Sequence, residues 1–303
     1  MSRTVLCIGG LLLDELHSCP QTVLSATSNP TEITRDAGGV MGNVARQLGL
    51  LGISVELIAA VGFDPEADFL LEKLQQCSVQ YPRLLRTNTG TGKFTAFLEP
   101  EGNLFAATCD DRINQEITPA YLKGLHLDPD AYKLIVADNN LPVESIQWLI
   151  DFSNVHDLPI ILEPVSVPKV HKWRELDMSG VFMITPNEDE WRAFMEPIID
   201  LQEQLLEMRV RGIRRTWISR GDQPSLWLEG DKIEQQPVIS VKVNDSTGAG
   251  DASLAGWIAA WCMGMHESDC RKAAQCMAST VLSVKGSVHP SLTEQNFKNW
   301  MKS

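Results

Sequence analysis

The sequence predicts one α/β domain over residues 1–303: a mostly parallel central sheet covered by helices, with a small β-sheet lid. Three observations carry this. Short apolar runs alternate with longer amphipathic stretches, two polar segments interrupt the alternation, and the C-terminal third is mostly helical in pattern. Val5 to Leu13 is the first apolar run; it has one preceding Arg, no cleavage-site pattern and ends at Asp14-Glu15, so a buried strand explains it better than a signal segment. Residues 15 to 37 are the first polar segment, rich in Thr, Asn and Pro. Asn43 to Leu51 reads as a helix stopped by Gly52, and Val55 to Val61 as the next strand. Residues 88 to 112 are the second polar segment, with alternation at Phe94-Thr95-Ala96-Phe97-Leu98 and a turn at Pro100-Glu101-Gly102-Asn103. The two polar segments read as hairpin strands standing off the main sheet. Lys133 to Ala137, Pro159 to Leu162, Phe182 to Thr185 and Thr216 to Ser219 supply further strands, and Ala249 to Met263 and Ser268 to Val284 supply two closing helices. No internal repeat, low-complexity tract or long linker divides the chain.

Composition narrows the function classes. A formal net charge of −13 argues against binding the phosphate backbone of nucleic acid, which needs clustered Lys and Arg, while leaving room for an RNA-derived monomer. The seven cysteines are odd in number, scattered and without a C-x-x-C pair, so neither a disulfide framework nor a zinc site is indicated. Reduced thiols in a cytoplasmic protein are the simplest account. No apolar run approaches the roughly 20 residues that span a bilayer, so no membrane partner is expected.

The most specific string is Asp245-Ser246-Thr247-Gly248-Ala249-Gly250-Asp251, which runs into a helical pattern. Gly248, Ala249 and Gly250 put bare N–H groups at a helix N-terminus, where unpaired donors and the helix dipole favour an anion such as a transferring phosphoryl group. Asp251 stands in the first turn, where a carboxylate takes the proton of an attacking hydroxyl. An ordinary Gly-rich turn with an acidic helix start is the alternative. Gly38-Gly39-Val40-Met41-Gly42-Asn43 precedes another helix, so its glycines permit close approach of backbone to a ligand, and Asn43 either caps the helix or contacts a hydroxyl. Asp14 follows the first strand, at the end of the sheet where open α/β folds bind ligands, although a turn carboxylate reads the same way. Asn187 and Glu190, at i and i+3, share one helix face and either hold metal-bound water or begin an acidic helix.

Residues 245–251 resemble the signature of the PfkB (ribokinase-like) family of carbohydrate and nucleoside kinases, Asp-Thr-x-Gly-Ala-Gly-Asp, with Ser246 in place of Thr. The Gly-Gly-x-x-x-Asn-x-Ala pattern at Gly38 to Ala45 and the Asn-x-x-Glu at Asn187 also resemble the family, and the likeness extends from Ile8-Gly9 to the final helices. It implies a ribokinase-like three-layer α/β/α sandwich that uses ATP and Mg²⁺. Asp251 is then the general base and Gly248 to Gly250 the phosphoryl cradle. Asp14, Gly38, Gly39 and Asn43 bind the acceptor sugar, Asn187 and Glu190 organise Mg²⁺, and Asn187, Ser219, Gly221, Thr247, Gly248 and Gly250 face the nucleotide. The backbone around Asp245 and Thr247, with Ser283 to Ser287 and His289, stands where the family closes its adenine and monovalent-cation sites, which makes K⁺ a further candidate. Three further positions depart from the pattern: Leu12 for Asn, Glu163 for Asp and Pro224 for Gly. Arg220 reads as a phosphate partner or a surface charge, and Trp257 and Trp261 as packing residues.

Asn29-Pro30, Val136 to Asn140, Pro164-Val165-Ser166 and the stretch Ala107 to Thr118 resemble the pseudouridine kinases within the family. The implied reaction is phosphorylation of pseudouridine at its 5′-hydroxyl, with base selectivity assigned by position to Thr95 or Asp110 of the lid. Another nucleoside or sugar (adenosine, inosine, ribose, fructose) and a non-catalytic nucleoside-binding protein are the alternatives. Exposed lid edges, and the pairing of relatives through them, imply a homodimer.

Overall fold

A computed structural model describes residues 3–302. In chain order its strands are β1 (Thr4–Ile8), β2 (Leu12–Ser18), β3 (Glu32–Gly38), β4 (Val55–Ile58), β5 (Ala60–Val61), β6 (Leu85–Arg86), β7 (Lys93–Leu98), β8 (Leu104–Asp110), β9 (Tyr132–Asp138), β10 (Ile160–Glu163), β11 (Met183–Ile184), β12 (Arg215–Arg220), β13 (Gln223–Glu229) and β14 (Lys232–Gln236). The eight-stranded main sheet has the order β14-β13-β12-β11-β10-β9-β1-β4. Its strands from β4 to β12 are parallel neighbours, and β13 and β14 extend the edge antiparallel.

The parallel strands read as unbroken apolar runs because both faces are covered. Along β1, Val5 and Cys7 point into one core, with helices Val40–Leu50, Ala249–Cys262 and Glu267–Leu282. Leu6 and Ile8 point into the other, with helices Val143–Val155 and Glu188–Met195. All four side chains are fully buried, each worth roughly 1.5–3 kcal/mol for a Val or Leu-sized group. The expected three-layer sandwich follows directly from this two-sided burial.

A four-stranded sheet of order β3-β2-β7-β8 forms the lid. It is larger than the sequence indicates. The apolar run Val5 to Leu13 splits at Gly9-Gly10, where the chain leaves the main sheet and enters the lid as β2. Leu11 to Leu13 are as buried as β1, so hydropathy alone hides the break. Val55 to Val61 likewise divides between β4 and the short β5–β6 pair. The first helix starts at Val40 rather than Asn43, with Gly39 in the cap position, so Asn43 is a helix-interior residue and not a cap. All seven cysteines are free thiols. Among the described residues no helix is long and apolar enough to cross a membrane.

Candidate active site

The helix Ala249–Cys262 begins at Gly248, whose φ of +75° is left-handed backbone and whose missing Cβ would lie 2.6 Å from the Cβ of Ser287. A side chain is excluded there twice over, by conformation and by contact. At Gly250 a Cβ would meet nothing within 4 Å, so the helix start faces open space. The loop before it is braced by Asp245, which accepts from Thr247 N at 2.9 Å and from Gly286 N at 3.0 Å. Asp251 stands in the first turn. Its Oδ2 accepts from Asn43 Nδ2 at 2.8 Å, and the Ser287 hydroxyl lies 2.8 Å from Asn43 Oδ1. The hydroxyl donates to that amide oxygen, so Asn43 is held with its N–H toward the carboxylate. Burial pushes Asp251 up to about 7, with Asp138 and Asp14 adding to the rise and the Asn43 hydrogen bond opposing it. A carboxylate beside an anion-receptive helix start, poised near neutral pH, can accept a proton as a phosphoryl group is received.

The acceptor side is built where the lid meets the sheet. Gly39 has φ +82°, and a Cβ there would lie 2.5 Å from Gly10 O. That carbonyl accepts from Gly42 N at 3.0 Å and so pins the helix to the β1–β2 turn. A Cβ at Gly38 would overlap the Asp14 carboxyl. Asp14 is pushed up to about 7 by burial and by Asp36, with Arg46 opposing. Asp14 adds to the rise at Asp251, so the two carboxyl groups are within electrostatic reach of each other, with Gly38 against Asp14 and Asn43 bonded to Asp251.

Lid register decides which side chains face that pocket. Asp14 pairs with Asp36 and Phe94, and Phe94 with Cys109, so these four share a face. Thr95 pairs with Glu15, and Asp110 with Lys93, one residue out of phase and therefore on the opposite face. Asp110 is also forked onto Arg112 at 2.7 and 2.8 Å in an exposed ion pair. The structure does not bring Thr95 or Asp110 to the Asp14 face.

On the nucleotide side, Asn187 follows β11 and bridges to Ser219 at the end of β12. Asn187 and Glu190 form a capping box: Asn187 Oδ1 accepts from Glu190 N at 2.9 Å, and Glu190 Oε2 from Asn187 N at 2.8 Å. Glu190 is raised by burial, against the Asn187 hydrogen bond. Glu163, at the end of β10, is pushed well up by burial, then by Asp251, Glu190 and Asp138. Glu163 is thus within electrostatic reach of Asp251, Glu190 and Asp138. Among the described residues no three carboxylate, His or Cys side chains are placed to enclose a metal ion. The donor set still fits Mg²⁺, which keeps several waters and takes one or two carboxylates together with substrate phosphates. Of the expected pair Asn187 and Glu190, Asn187 spends its Oδ1 on the helix cap, which leaves Glu190 with its second oxygen, and Glu163 within electrostatic reach of it, as the candidate holders. Gly221 has open space at its Cβ position, and Arg220 is paired with Glu188 at 3.4 Å and donates to Pro224 O at 3.3 Å.

Three contributors entered the sequence reading only inside stretches that resemble the family, without these roles: Ser287 orients Asn43, Asp138 is fully enclosed and accepts from Gly10 N at 2.8 Å, and Glu163 is within electrostatic reach of both Asp251 and Glu190. Asp138 and Glu163 also stand at strand ends, where open α/β sheets bind ligands. A separate cavity of about 880 Å³, lined by Trp191, Ile198, Ile218, Leu226 and Arg220 among others, shares no residue with the Asp251 cradle.

The sequence profile described as pfkB family carbohydrate kinase matches residues 3–294. The pseudouridine kinase of Escherichia coli (strain K12) is 29% identical over 96% of this chain and 94% of its own length. A carbohydrate kinase from Agrobacterium tumefaciens superposes with a TM-score of 0.86 at 24% identity, covering 99% of this chain and 97% of that one. Arabidopsis thaliana ribokinase, complexed with ribose and ATP, superposes with a TM-score of 0.84 at 19% identity over 100% of both chains. These neighbours establish a ribokinase-like fold.

Proposed function

The chain belongs to the pfkB family of carbohydrate kinases, and we propose that it transfers the γ-phosphoryl group of ATP to the 5′-hydroxyl of pseudouridine, giving pseudouridine 5′-phosphate and ADP. The observation that carries the chemistry is the Ser287–Asn43–Asp251 chain of hydrogen bonds ending at an open helix N-terminus. The acceptor is suggested by the E. coli pseudouridine kinase, which aligns with nearly the whole chain.

In this reading Asp14 accepts hydrogen bonds from ribose hydroxyls in the pocket walled by Gly38 and Gly39. The 5′-oxygen is thereby directed at the phosphoryl group. Asp251 takes the 5′-proton as the new O–P bond forms and the bond to the bridging oxygen of ADP breaks. The N–H groups from Gly248 to Gly250 stabilise charge on the transferring oxygens. Asn43 keeps the Asp251 carboxylate from rotating away. Mg²⁺, held through Glu190 and Glu163, neutralises phosphate charge when bound. A sugar or a different nucleoside as acceptor is the second reading, favoured by the ribokinase neighbour with its bound ribose.

The test is ADP formation with Mg-ATP and a panel of pseudouridine, uridine, adenosine, inosine, ribose and fructose. Selective turnover of pseudouridine is expected. Preference for another acceptor would keep the mechanism and replace the substrate, and a folded protein inert toward all of them would overturn the pseudouridine assignment and point to an acceptor outside the panel or to nucleoside binding without catalysis.

A further inference from the structure

Lys169 is a half-buried cation that no part of the phosphoryl-transfer chemistry uses. It sits in the short helix Val167–Val170 after β10, with 25% of its side chain exposed, at the carboxyl end of the sheet. Its ammonium group contacts Asp111 Oδ2, just past the lid strand β8, and Asn140 Oδ1, just past β9. The helix is itself fastened, because Asn139 Nδ2 donates to Lys169 O at 2.5 Å. Asn140 is 4% exposed and lies against the acceptor pocket: its Nδ2 stands 2.7 Å from where a Gly10 Cβ would be, and Gly10 O packs on Gly39. The Asn140 backbone N–H donates to Asp138 Oδ1 at 3.0 Å. A continuous polar path therefore runs from the floor of the pocket through Asp138 and Asn140 to Lys169 and Asp111. The Cys109 thiol, on the same lid face as Asp14, is raised first by burial and then by Asp111, with Lys169 opposing and Asp14 adding. One lid side chain is thus within electrostatic reach of both the ribose-binding carboxylate and the Lys169 pair.

We propose that Lys169 and Asp111 are specificity-determining residues that read the base of the acceptor nucleoside. An ammonium has three N–H donors, of which two are engaged here, and the carboxylate of Asp111 keeps one oxygen beyond the one facing Lys169. A remaining donor beside a remaining acceptor matches a carbonyl next to a ring N–H. Every polar edge of pseudouridine's base offers that pair, because both ring nitrogens carry hydrogen and flank a carbonyl. Uridine loses one of these N–H groups to its glycosidic bond and keeps the pair only at the other, adenine has no carbonyl, and free ribose carries no base. A site built to bond such an edge disfavours an acceptor that leaves its charged groups unpaired.

This inference rests on the nucleoside reading of the site, and the experiment separates the two. kcat/KM is measured for pseudouridine and for ribose in the wild-type enzyme and in Lys169→Met. Because both acceptors share Asp251 and the ribose contacts, their ratio cancels any loss of folded enzyme. The pseudouridine-to-ribose ratio is expected to fall at least tenfold in Lys169→Met, mainly through a raised KM for pseudouridine. Calorimetric Kd values for the two acceptors, taken without ATP, should show the same compression. A ratio unchanged from wild type, with pseudouridine still turned over, overturns the role of Lys169. Wild-type enzyme that phosphorylates ribose and ignores pseudouridine overturns the acceptor assignment itself, before Lys169 is altered.

Discussion

Asp14 and Asp251 are both held near 7, far above the usual carboxylate range, chiefly by burial. Proton uptake by Asp251 requires its charged form. As pH rises through about 7, kcat/KM should therefore climb along a limb with a slope between one and two, reporting the free enzyme. A profile flat from pH 5.5 to 8.5 would show that neither group titrates as described. The same shifts act on stability with a definite sign. With folded values above the unfolded value of 3.8, the native state binds more protons between the two, so stability falls as pH rises through that window and the full penalty persists above 7. Asp251→Asn removes one buried charge. It should lower kcat by roughly 10²- to 10⁴-fold while raising Tm at pH 8, by about 2–4 °C per kcal/mol recovered. Turnover and melting temperature measured on the same preparation check both signs.

At the scale of elements, helix starts do most of the positioning. The capping box of Glu188–Met195 spends Asn187 Oδ1 and Glu190 Oε2 on backbone groups, so Asn187 cannot be assigned to the nucleotide without also counting its structural role. Asn187→Ala should cost about 1 kcal/mol of stability from the lost cap and also raise KM for Mg-ATP. A lower Tm with an unaltered KM would confine Asn187 to capping. Two of these starts were legible in sequence because each is a local string, Gly248 to Asp251 and Asn187 to Glu190, while the first helix begins at Val40, inside the Gly38 to Asn43 string and not at its end. The parallel strands of the main sheet were also legible, since two-sided burial leaves continuous apolar runs, but the antiparallel edge strands β13 and β14 were not read. Strand endings were not, because Leu11 to Leu13 stay buried after the chain has changed sheets. Lid register was invisible for the same kind of reason: Thr95 and Asp110 occupy suitable segments, yet side-chain direction alternates and is set by pairing with β2. Contacts between distant segments, such as Ser287 with Asn43, leave no local trace at all.

For the whole molecule, the lid is the surface that asks for a partner. Strand β8 is exposed along its full length, with Leu104 at 61% and Phe105 at 49%, and it forms one edge of the lid sheet. Apolar groups on an open sheet edge are a template for pairing, and a second copy of the chain is the proposed occupant. Sedimentation should give twice the 33.6 kDa chain mass, and Phe105→Glu should shift the protein toward monomer. A monomeric wild type would end that proposal. Ser287 and Asn43 lie 244 residues apart in the chain, and the bond between them closes the loop beside Gly248 onto the first helix. Opening of either segment would free the Asp251 carboxylate to rotate while leaving carboxylate and cradle both intact, so the hydroxyl acts as a latch whose state the turnover rate reports.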